Sequence, residues 1–172
     1  MFALTALASA IVTSVATGPV DAWPILAPPD GRFTVRMPGP VDESTDTVET
    51  DASDVVRHTF NCSTNQVLWQ LSYVDLPTSL TLKRSDDEIL RAAQSGARTM
   101  DRMKIFAEGG GKLGQMPWKR YRVEIPDGPV VSNYLLLDHK RLYHLLVVSP
   151  PHKFRHVGVK EFFSSFSPKA SN

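Results

Sequence analysis

The sequence predicts an α+β protein built on an antiparallel β-sheet of six to seven strands, with helices packed on the faces of the sheet. Three observations carry this prediction. Apolar and polar residues alternate along several short segments bounded by turn residues, as in half-buried strands. These segments come in runs with short connections, which require antiparallel pairing. Two segments in which apolar residues have helical spacing follow these runs, one in the middle of the chain and one near its end. This order favours α+β over a doubly wound parallel sheet.

The first run of strands begins with Phe33, Val35 and Met37, which alternate with polar residues and are followed by the turn residue Pro38. Residues 43–50 have strand propensity but almost no apolar face. This pattern predicts an edge strand, because charge on an edge discourages pairing with other chains. Two further strands, each with one apolar face, are predicted at 56–60 and 67–73.

The second run of strands follows the central helix. A short strand at 104–107 leads into three glycines at 109–111, and further strands are predicted at 121–125, 130–137 and 141–148. The last of these strands is apolar on both faces. We therefore expect it at the centre of the sheet, covered above and below.

Two helices are predicted. Ser85 and Glu88 have the spacing of a capping box, and the aspartates between them complement the helix dipole, which places a helix at 86–103. Near the end of the chain, apolar residues recur at positions i, i+3, i+4 and i+7, which predicts a short amphipathic helix. These residues are Val159, Phe162, Phe163 and Phe166.

The first segment has the layout of a secretory signal peptide. Residues 2–17 are apolar and uncharged, and Gly18 and Pro19 end the stretch. A membrane-spanning helix needs roughly 20 apolar residues, so this stretch is short for one. Small residues stand at both key positions before a cleavage after Ala22, so residues 1–22 are predicted to be an export signal. Because no basic residue precedes the apolar run, a buried N-terminal helix and an uncleaved membrane anchor stay open as alternatives.

The remaining chain is predicted to hold one domain. Residues 23–30 are interpreted as an extended, proline-stiffened leader, 31–167 as the domain and 168–172 as a tail. The domain is expected to be exported to the periplasm or the exterior. A length of 172 residues fits one domain, or at most one domain plus an appendage.

Charge and cysteine content exclude several function classes. The formal net charge of +1 gives no strong field toward nucleic acid or anionic membranes. A single cysteine, Cys62, permits no internal disulfide and no multi-cysteine metal cluster. Cys62 shares a strand face with apolar residues, so we expect a small buried side chain.

Four segments resemble the PsbP/Mog1-like family, and in particular its small, exported, uncharacterised bacterial members. They are 31–39 (GRFTVRMPG), 71–77 (LSYVDLP), 141–148 (RLYHLLVV) and 162–166 (FFSSF). The resemblance covers about residues 31–167 and implies an α/β/α sandwich around an antiparallel sheet. Characterised relatives are non-enzymatic partner proteins. One group assists the photosynthetic oxygen-evolving complex and another binds a small GTPase, and no residues here match either functional surface.

The densest basic and aromatic cluster is predicted to bind a protein partner. It consists of Trp118, Lys119, Arg120 and Arg122. Tryptophan and arginine are enriched at the energetic centres of protein interfaces. The alternative interpretation is a solvated strand face with one packed tryptophan.

Motifs for catalysis or metal binding are incomplete. The run at 109–112 (GGGK) lacks the hydroxyl residue and the following helix of a phosphate-binding loop, so it is interpreted as a flexible hairpin or loop. His152 and His156 have a zinc-like spacing but no acidic or cysteine ligand nearby, and are interpreted as a basic surface segment. His58 and His144 are interpreted as partly buried histidines with satisfied hydrogen bonds. The sequence therefore predicts no catalytic residue, no cofactor and no metal.

The leading functional hypothesis is a non-catalytic binding or accessory module of the cell envelope. It would have an unidentified protein partner, would not bind nucleic acid, and would not stay inserted in a membrane after signal cleavage. Two alternatives stay open. One is a hydrolase that uses a histidine and a carboxylate from separate strands. The other is a carrier of a small apolar ligand held between sheet and helix.

Overall fold

A large antiparallel sheet organises the protein. The computed structural model describes residues 22–95, 103–153 and 157–169. In chain order the strands are β1 (Ile25–Leu26), β2 (Phe33–Arg36), β3 (Asp42–Val48), β4 (Val55–Thr64), β5 (Val67–Asp75), β6 (Lys104–Leu113), β7 (Met116–Glu124), β8 (Val130–Asp138), β9 (Arg141–Ser149) and β10 (Ser167–Pro168). Seven of them form one sheet in the order β3-β4-β5-β9-β8-β7-β6, with antiparallel neighbours throughout. The predicted α+β class and sheet are confirmed.

The positions of two strands within this sheet agree with their composition. β9, which is apolar on both faces, is the central strand and pairs with β5 and β8. The polar strand β3 lies at one edge, with residues 42–47 exposed. Burial therefore follows the hydrophobic pattern, because only a central strand has both faces covered.

A second, smaller sheet joins segments from the two ends of the described chain. β2 pairs with β1 on one side and with β10 on the other. Trp23 lies just before β1 and is buried in the core, with its ring 5.3 Å from that of Trp69. The segment 23–30, predicted as an extended leader, thus contributes a strand and a core side chain. Pro168, predicted to begin the tail, is part of β10.

Three α-helices, α1 (Thr78–Lys83), α2 (Asp86–Ser95) and α3 (Val157–Ser165), and a short 3-10 helix (Pro151–Lys153) complete the described fold. The capping box of α2 is confirmed, because the Ser85 N–H donates to Glu88 Oε2 (2.7 Å) and the Glu88 N–H to Ser85 Oγ (3.4 Å). The predicted helix end at 103 is wrong, since Met103 is not helical, and residues 96–102 lie outside the described residues. The short helix α1 was not predicted; it begins after Pro77, whose fixed φ suits a helix start.

Each face of the large sheet carries its own apolar core. On one face, here the α3 face, strand side chains pack against the small sheet and α3; they include Phe60, Trp69, Leu71, Tyr143 and Leu145. On the other, the α2 face, they pack against α2; they include Val123, Leu135, Leu137 and Leu142. Consecutive residues alternate between the two cores because strand side chains alternate in direction. The helices therefore lie on both faces of the sheet.

The predicted export signal falls almost wholly outside the structure, since residues 1–21 are not among those described. Within the described ranges, no helix is long and apolar enough to cross a bilayer.

Phe33 on β2 is the centre of the core on the α3 face. Its side chain is fully buried, and its ring centroid lies between 5.8 and 6.2 Å from those of four other rings. These rings belong to Phe60, Tyr73, Tyr143 and Phe166. Gly31 allows this packing, because a Cβ at that position would lie 2.5 Å from the Phe33 ring. Phe33 thus contacts aromatic side chains of both the large sheet and the segment after α3, and is the most connected ring that joins the small sheet to the large one.

An ion pair between the buried Arg141 and the exposed carboxylate of Asp75 anchors the loop that precedes β2. Arg141 on β9 is buried and makes two hydrogen bonds to Asp75, Nε to Oδ1 (2.8 Å) and Nη2 to Oδ2 (2.6 Å). Its Nη1 donates to the carbonyl of Asp30. The Tyr143 hydroxyl lies 3.1 Å from the carbonyl oxygen of Gly31. The hydrogen bonds from Arg141 hold the pKa of Asp75 below its usual range.

The sequence suggested a flexible hairpin or loop at 109–111, and the structure places these glycines in a hairpin, within strand β6 and not in a loop. They pair with residues 118–120 of β7 after a register shift between Ala107 and Gly109. The predicted strand at 104–107 therefore continues to Leu113. The physical reason lies across the strand, where the ring of Trp118 covers the surface that glycine leaves bare.

Replacing Phe33 by alanine should lower the free energy of unfolding by about 3–5 kcal/mol, because the cavity would lie between four rings that cannot all close on it. Chemical denaturation measures this loss. Ile25→Ala is the matched control: it lies in the same small sheet but is 61% exposed, and its loss should stay below about 0.5 kcal/mol. Equal losses for the two variants would contradict the central role of Phe33.

Asp75→Asn should lower stability at neutral pH and weaken its dependence on acid. The folded pKa of Asp75 lies below the unfolded value of about 3.9, so the carboxylate stabilises the fold above that pH and loses this contribution as pH falls through the folded pKa. Denaturation curves from pH 7 to about pH 2 measure the effect. Asp54→Asn, at an exposed turn position, should follow the wild type.

Candidate interaction surface on strands β6 and β7

Strands β6 and β7 form a hairpin at the free edge of the large sheet. A two-residue turn joins Leu113 to Met116, and Gly114 in that turn has a φ of +61°, a conformation that favours glycine. β6 is the last strand in the sheet order. The hairpin thus extends the α3 face beyond the strands that carry the core.

Trp118 spreads across the glycines of β6. A Cβ on Gly111 would lie 3.3 Å from its ring, and one on Gly109 would lie 3.5 Å away. On its other side, the ring lies edge-on to that of Tyr134, with centroids 5.8 Å apart. Trp118 stays partly exposed, so it presents a flat aromatic surface that is held in place from both sides.

Arg120 lies beside Trp118 on the same face. Its guanidinium carbon is 5.3 Å from the ring centroids of both Tyr134 and Phe163, a cation–π arrangement. Its Nε is buried and has no hydrogen-bond partner among the described residues. Packing against rings therefore positions this cation.

The four predicted binding residues do not form one cluster. Arg122 shares the α3 face with Trp118 and Arg120; its guanidinium carbon lies 5.0 Å from the Phe106 ring, and its Nε donates to Glu124 (3.0 Å). Lys119 points to the α2 face, where its Nζ is 2.9 Å from Asp87 of α2. The pKa of Asp87 is lowered by that contact. Strand alternation separates these neighbours in sequence.

Three apolar residues that the sequence analysis did not single out join this surface. Phe106 is 39% exposed, Leu113 is 44% exposed, and Met116 is partly buried next to the core. They share the α3 face because Phe106 pairs with Arg122, and Leu113 with Met116. These residues were difficult to identify from the sequence, because glycines interrupt the alternation of apolar and polar residues along β6. We call the six residues Phe106, Leu113, Met116, Trp118, Arg120 and Arg122 the β6–β7 surface.

His144 has an amide partner. Its Nε2 lies 2.9 Å from Asn133 Oδ1 on the neighbouring strand. Burial lowers the pKa of His144 to about 4, with a further contribution from the charge of Arg57, so the imidazole is neutral at pH 7. The predicted partly buried, satisfied histidine is confirmed. The carboxylate that a hydrolase would need to orient this ring is replaced by an amide.

The other candidate residues are placed as structural or surface groups. His58 is partly buried and stacks on Tyr73, with ring centroids 4.7 Å apart. Cys62 is buried as predicted, and burial raises the pKa of its thiol to about 11. His152 is exposed, while His156 lies outside the described residues. Within the described ranges, no group of three or more His, Cys, Asp or Glu side chains could hold a metal.

A surface depression of about 510 Å³ lies at the end of the sheet near the turn between β7 and β8. Gln66, Asp127, Val148 and Pro150 contribute to its lining. It is open to solvent and lies away from the gap between sheet and helix, which is where the apolar-carrier hypothesis places a ligand.

The fold is similar to that of a solved protein. The solution structure of cyanobacterial PsbP (CyanoP) from Synechocystis sp. PCC 6803 matches with a TM-score of 0.51 and 10% sequence identity, covering 94% of this chain and 98% of that one. This likeness confirms the PsbP-like fold implied by the sequence resemblance. No protein-family model matches the sequence, and no curated protein matches it.

His144 should keep a neutral imidazole down to about pH 4, which an NMR titration of its ring carbons can measure. Because this folded pKa lies below the unfolded value of about 6.5, the unfolded state binds the proton first, and stability falls as pH drops from 6.5 toward 4. His144→Gln should remove that part of the pH dependence. A ring that titrates near pH 6.5 would contradict the assigned environment.

Proposed function

We propose that this chain is a non-catalytic binding module that recognises another protein through the β6–β7 surface. The observation that carries the proposal is the half-exposed Trp118, held between bare glycines and Tyr134, with Arg120 beside it. An aromatic ring and a cation that are ordered before binding lose little entropy when a partner covers them. Tryptophan and arginine are also the residue types that dominate interface energies.

The apolar residues around this pair support the same function. Phe106 and Leu113 are exposed on the same face near the two ends of β6, Phe106 opposite Arg122 and Leu113 opposite Met116, with Trp118 between them. Exposed apolar side chains that share a face with an aromatic ring are a common feature of protein interaction sites. Ring-and-cation surfaces rimmed by polar groups are typical of protein interfaces.

The location of this binding is part of the proposal. Residues 1–22 have the pattern of an export signal, so we place the module in the cell envelope or outside the cell. The resemblance to PsbP/Mog1-like proteins supports an accessory role, since the characterised members act by binding.

Site-specific photo-crosslinking of the full-length chain tests the proposal. A photoreactive benzoyl-phenylalanine in place of Leu113 should crosslink one defined partner in the expressing cells. The same group in place of Leu82, which is 82% exposed on α1, is the matched control and should not capture that partner.

Phe106→Asp and Trp118→Ala should each reduce the crosslink by about tenfold or more, as expected for residues at the centre of an interface. Arg120→Glu should do the same, whereas Leu82→Asp should leave it unchanged. Thermal unfolding checks that each variant is folded. Crosslinks of equal strength from positions 113 and 82, or a partner insensitive to all three variants, would overturn the proposal.

A further inference from the structure

We propose that the outer edge of β6 accepts an extended segment of the partner as an additional strand, and that this segment alternates acidic and apolar residues. The inference rests on the proposed function and names the chemistry of the partner. It starts from an edge of the sheet. Among the described residues, no strand pairs with the outer side of β6.

The direction of the backbone groups on this edge follows from Pro117. In an antiparallel pair, residues alternate between pairs that exchange hydrogen bonds and pairs whose N–H and C=O groups point outward. Lys112 lies opposite Pro117, which has no N–H to donate, so this is a non-hydrogen-bonded pair. Lys112, and by alternation Gly110, therefore point their N–H and C=O groups away from β7.

The two edges of the sheet are protected differently. β3 contains three acidic residues in seven and no basic residue, a pattern that discourages strand pairing. On β6, all residues from 109 to 113 are exposed, and three of these five are glycines. At the three glycines, a strand can approach the backbone of β6 without meeting a β6 side chain on either face.

The charge of the hairpin selects an acidic partner. Residues 104–124 contain five basic and two acidic residues, and with Asp87, which pairs with Lys119, the formal charge of this region is +2. Two copies of the chain paired through β6 would bring two such hairpins together, which their like charges disfavour. Lys112 lies on the α2 face of the edge and is exposed, where it can meet a carboxylate of an added strand.

The α3 face of the same edge requires apolar side chains. There, Gly109 and Gly111 leave the Trp118 ring as the nearest side-chain surface, and Leu113 extends it. An added strand alternates its side chains between the two faces. The added strand that fits this edge therefore has acidic residues on its α2 face and apolar residues on its α3 face. Its backbone hydrogen bonds to Gly110 and Lys112 would supply affinity.

NMR titration of the isotope-labelled full-length chain tests the inference. The probe is an acetylated, amidated Glu-Val-Glu-Val-Glu-Val peptide, and its control carries lysine in place of glutamate. The acidic peptide should shift the amide signals of Gly110 and Lys112 with a Kd below about 1 mM, and the lysine peptide should bind at least about tenfold more weakly.

Three substitutions at one position separate backbone from charge. Lys112→Pro removes the outward N–H without removing a hairpin hydrogen bond, and should weaken binding about tenfold or more. Lys112→Gln keeps the N–H and should weaken it by about threefold at most. Lys112→Glu also keeps the backbone intact and should shift the binding preference toward the lysine peptide. If the proline variant fails to fold, this shift in preference is the test of the inference.

The inference is overturned if neither amide shifts at about 1 mM peptide, if both peptides bind equally, or if a folded Lys112→Pro variant binds as tightly as wild type. Shifts of Gly110 and Lys112 that depend on protein concentration alone would show a second copy on this edge and would also overturn it. The proposed function is tested independently of this inference. It is retained if crosslinks from position 113 persist and remain sensitive to Phe106→Asp, even when neither peptide binds.

Discussion

The burial of Phe33 between the two sheets is the contact on which the rest of the structure depends. Its ring joins the central strands, through Tyr73 and Tyr143, to the segment between α3 and β10, through Phe166. The loop before it is held by Arg141, which is itself paired with Asp75. Once Phe33 is in place, β2 can pair with β1 and β10, and the small sheet closes one face of the large one. α3 then lies where Phe163 can support Arg120, so the core and the β6–β7 surface share one packing arrangement.

Polar chemistry inside this protein serves packing more than reactivity. Arg141 pairs with Asp75 and donates to the carbonyl of Asp30, which holds a loop, and His144 is neutral and paired with an amide. Because the Asp75 carboxylate is exposed, solvent screens much of its attraction to Arg141, and the main role of the pair is to fix the position of the Arg141 guanidinium. In the β6–β7 hairpin, by contrast, partly exposed groups such as Trp118 and Arg120 are held in place by neighbouring rings. The proposed recognition depends on this ordering.

Most strands and helices were predictable because the spacing of their apolar residues matches the face that the structure buries. The alternation of Phe33, Val35 and Met37, the two apolar faces of β9 and the capping box at Ser85 each led to the observed element. The failures have physical reasons. Three glycines break every alternation pattern, yet they extend β6, because Trp118 on the neighbouring strand covers them. The predicted binding residues are close in sequence, but strand alternation places Lys119 on the α2 face. Strand pairing places Phe106 and Leu113 on the same face as the other three, which are Trp118, Arg120 and Arg122.

The sequence pattern is sufficient to predict the fold class, the polar edge and the central strand of the sheet, the buried cysteine and the hydrogen-bonded His144. These properties depend on the periodicity and polarity of short segments, which are visible one strand at a time. Only the tertiary structure decided that the 23–30 segment belongs to the core, that a glycine run forms an edge strand, and which side chains make the β6–β7 surface. Each of these depends on contacts between residues on different strands, or between one end of the described chain and its middle. Strand order and register bring those residues together, and neither can be read from a single segment.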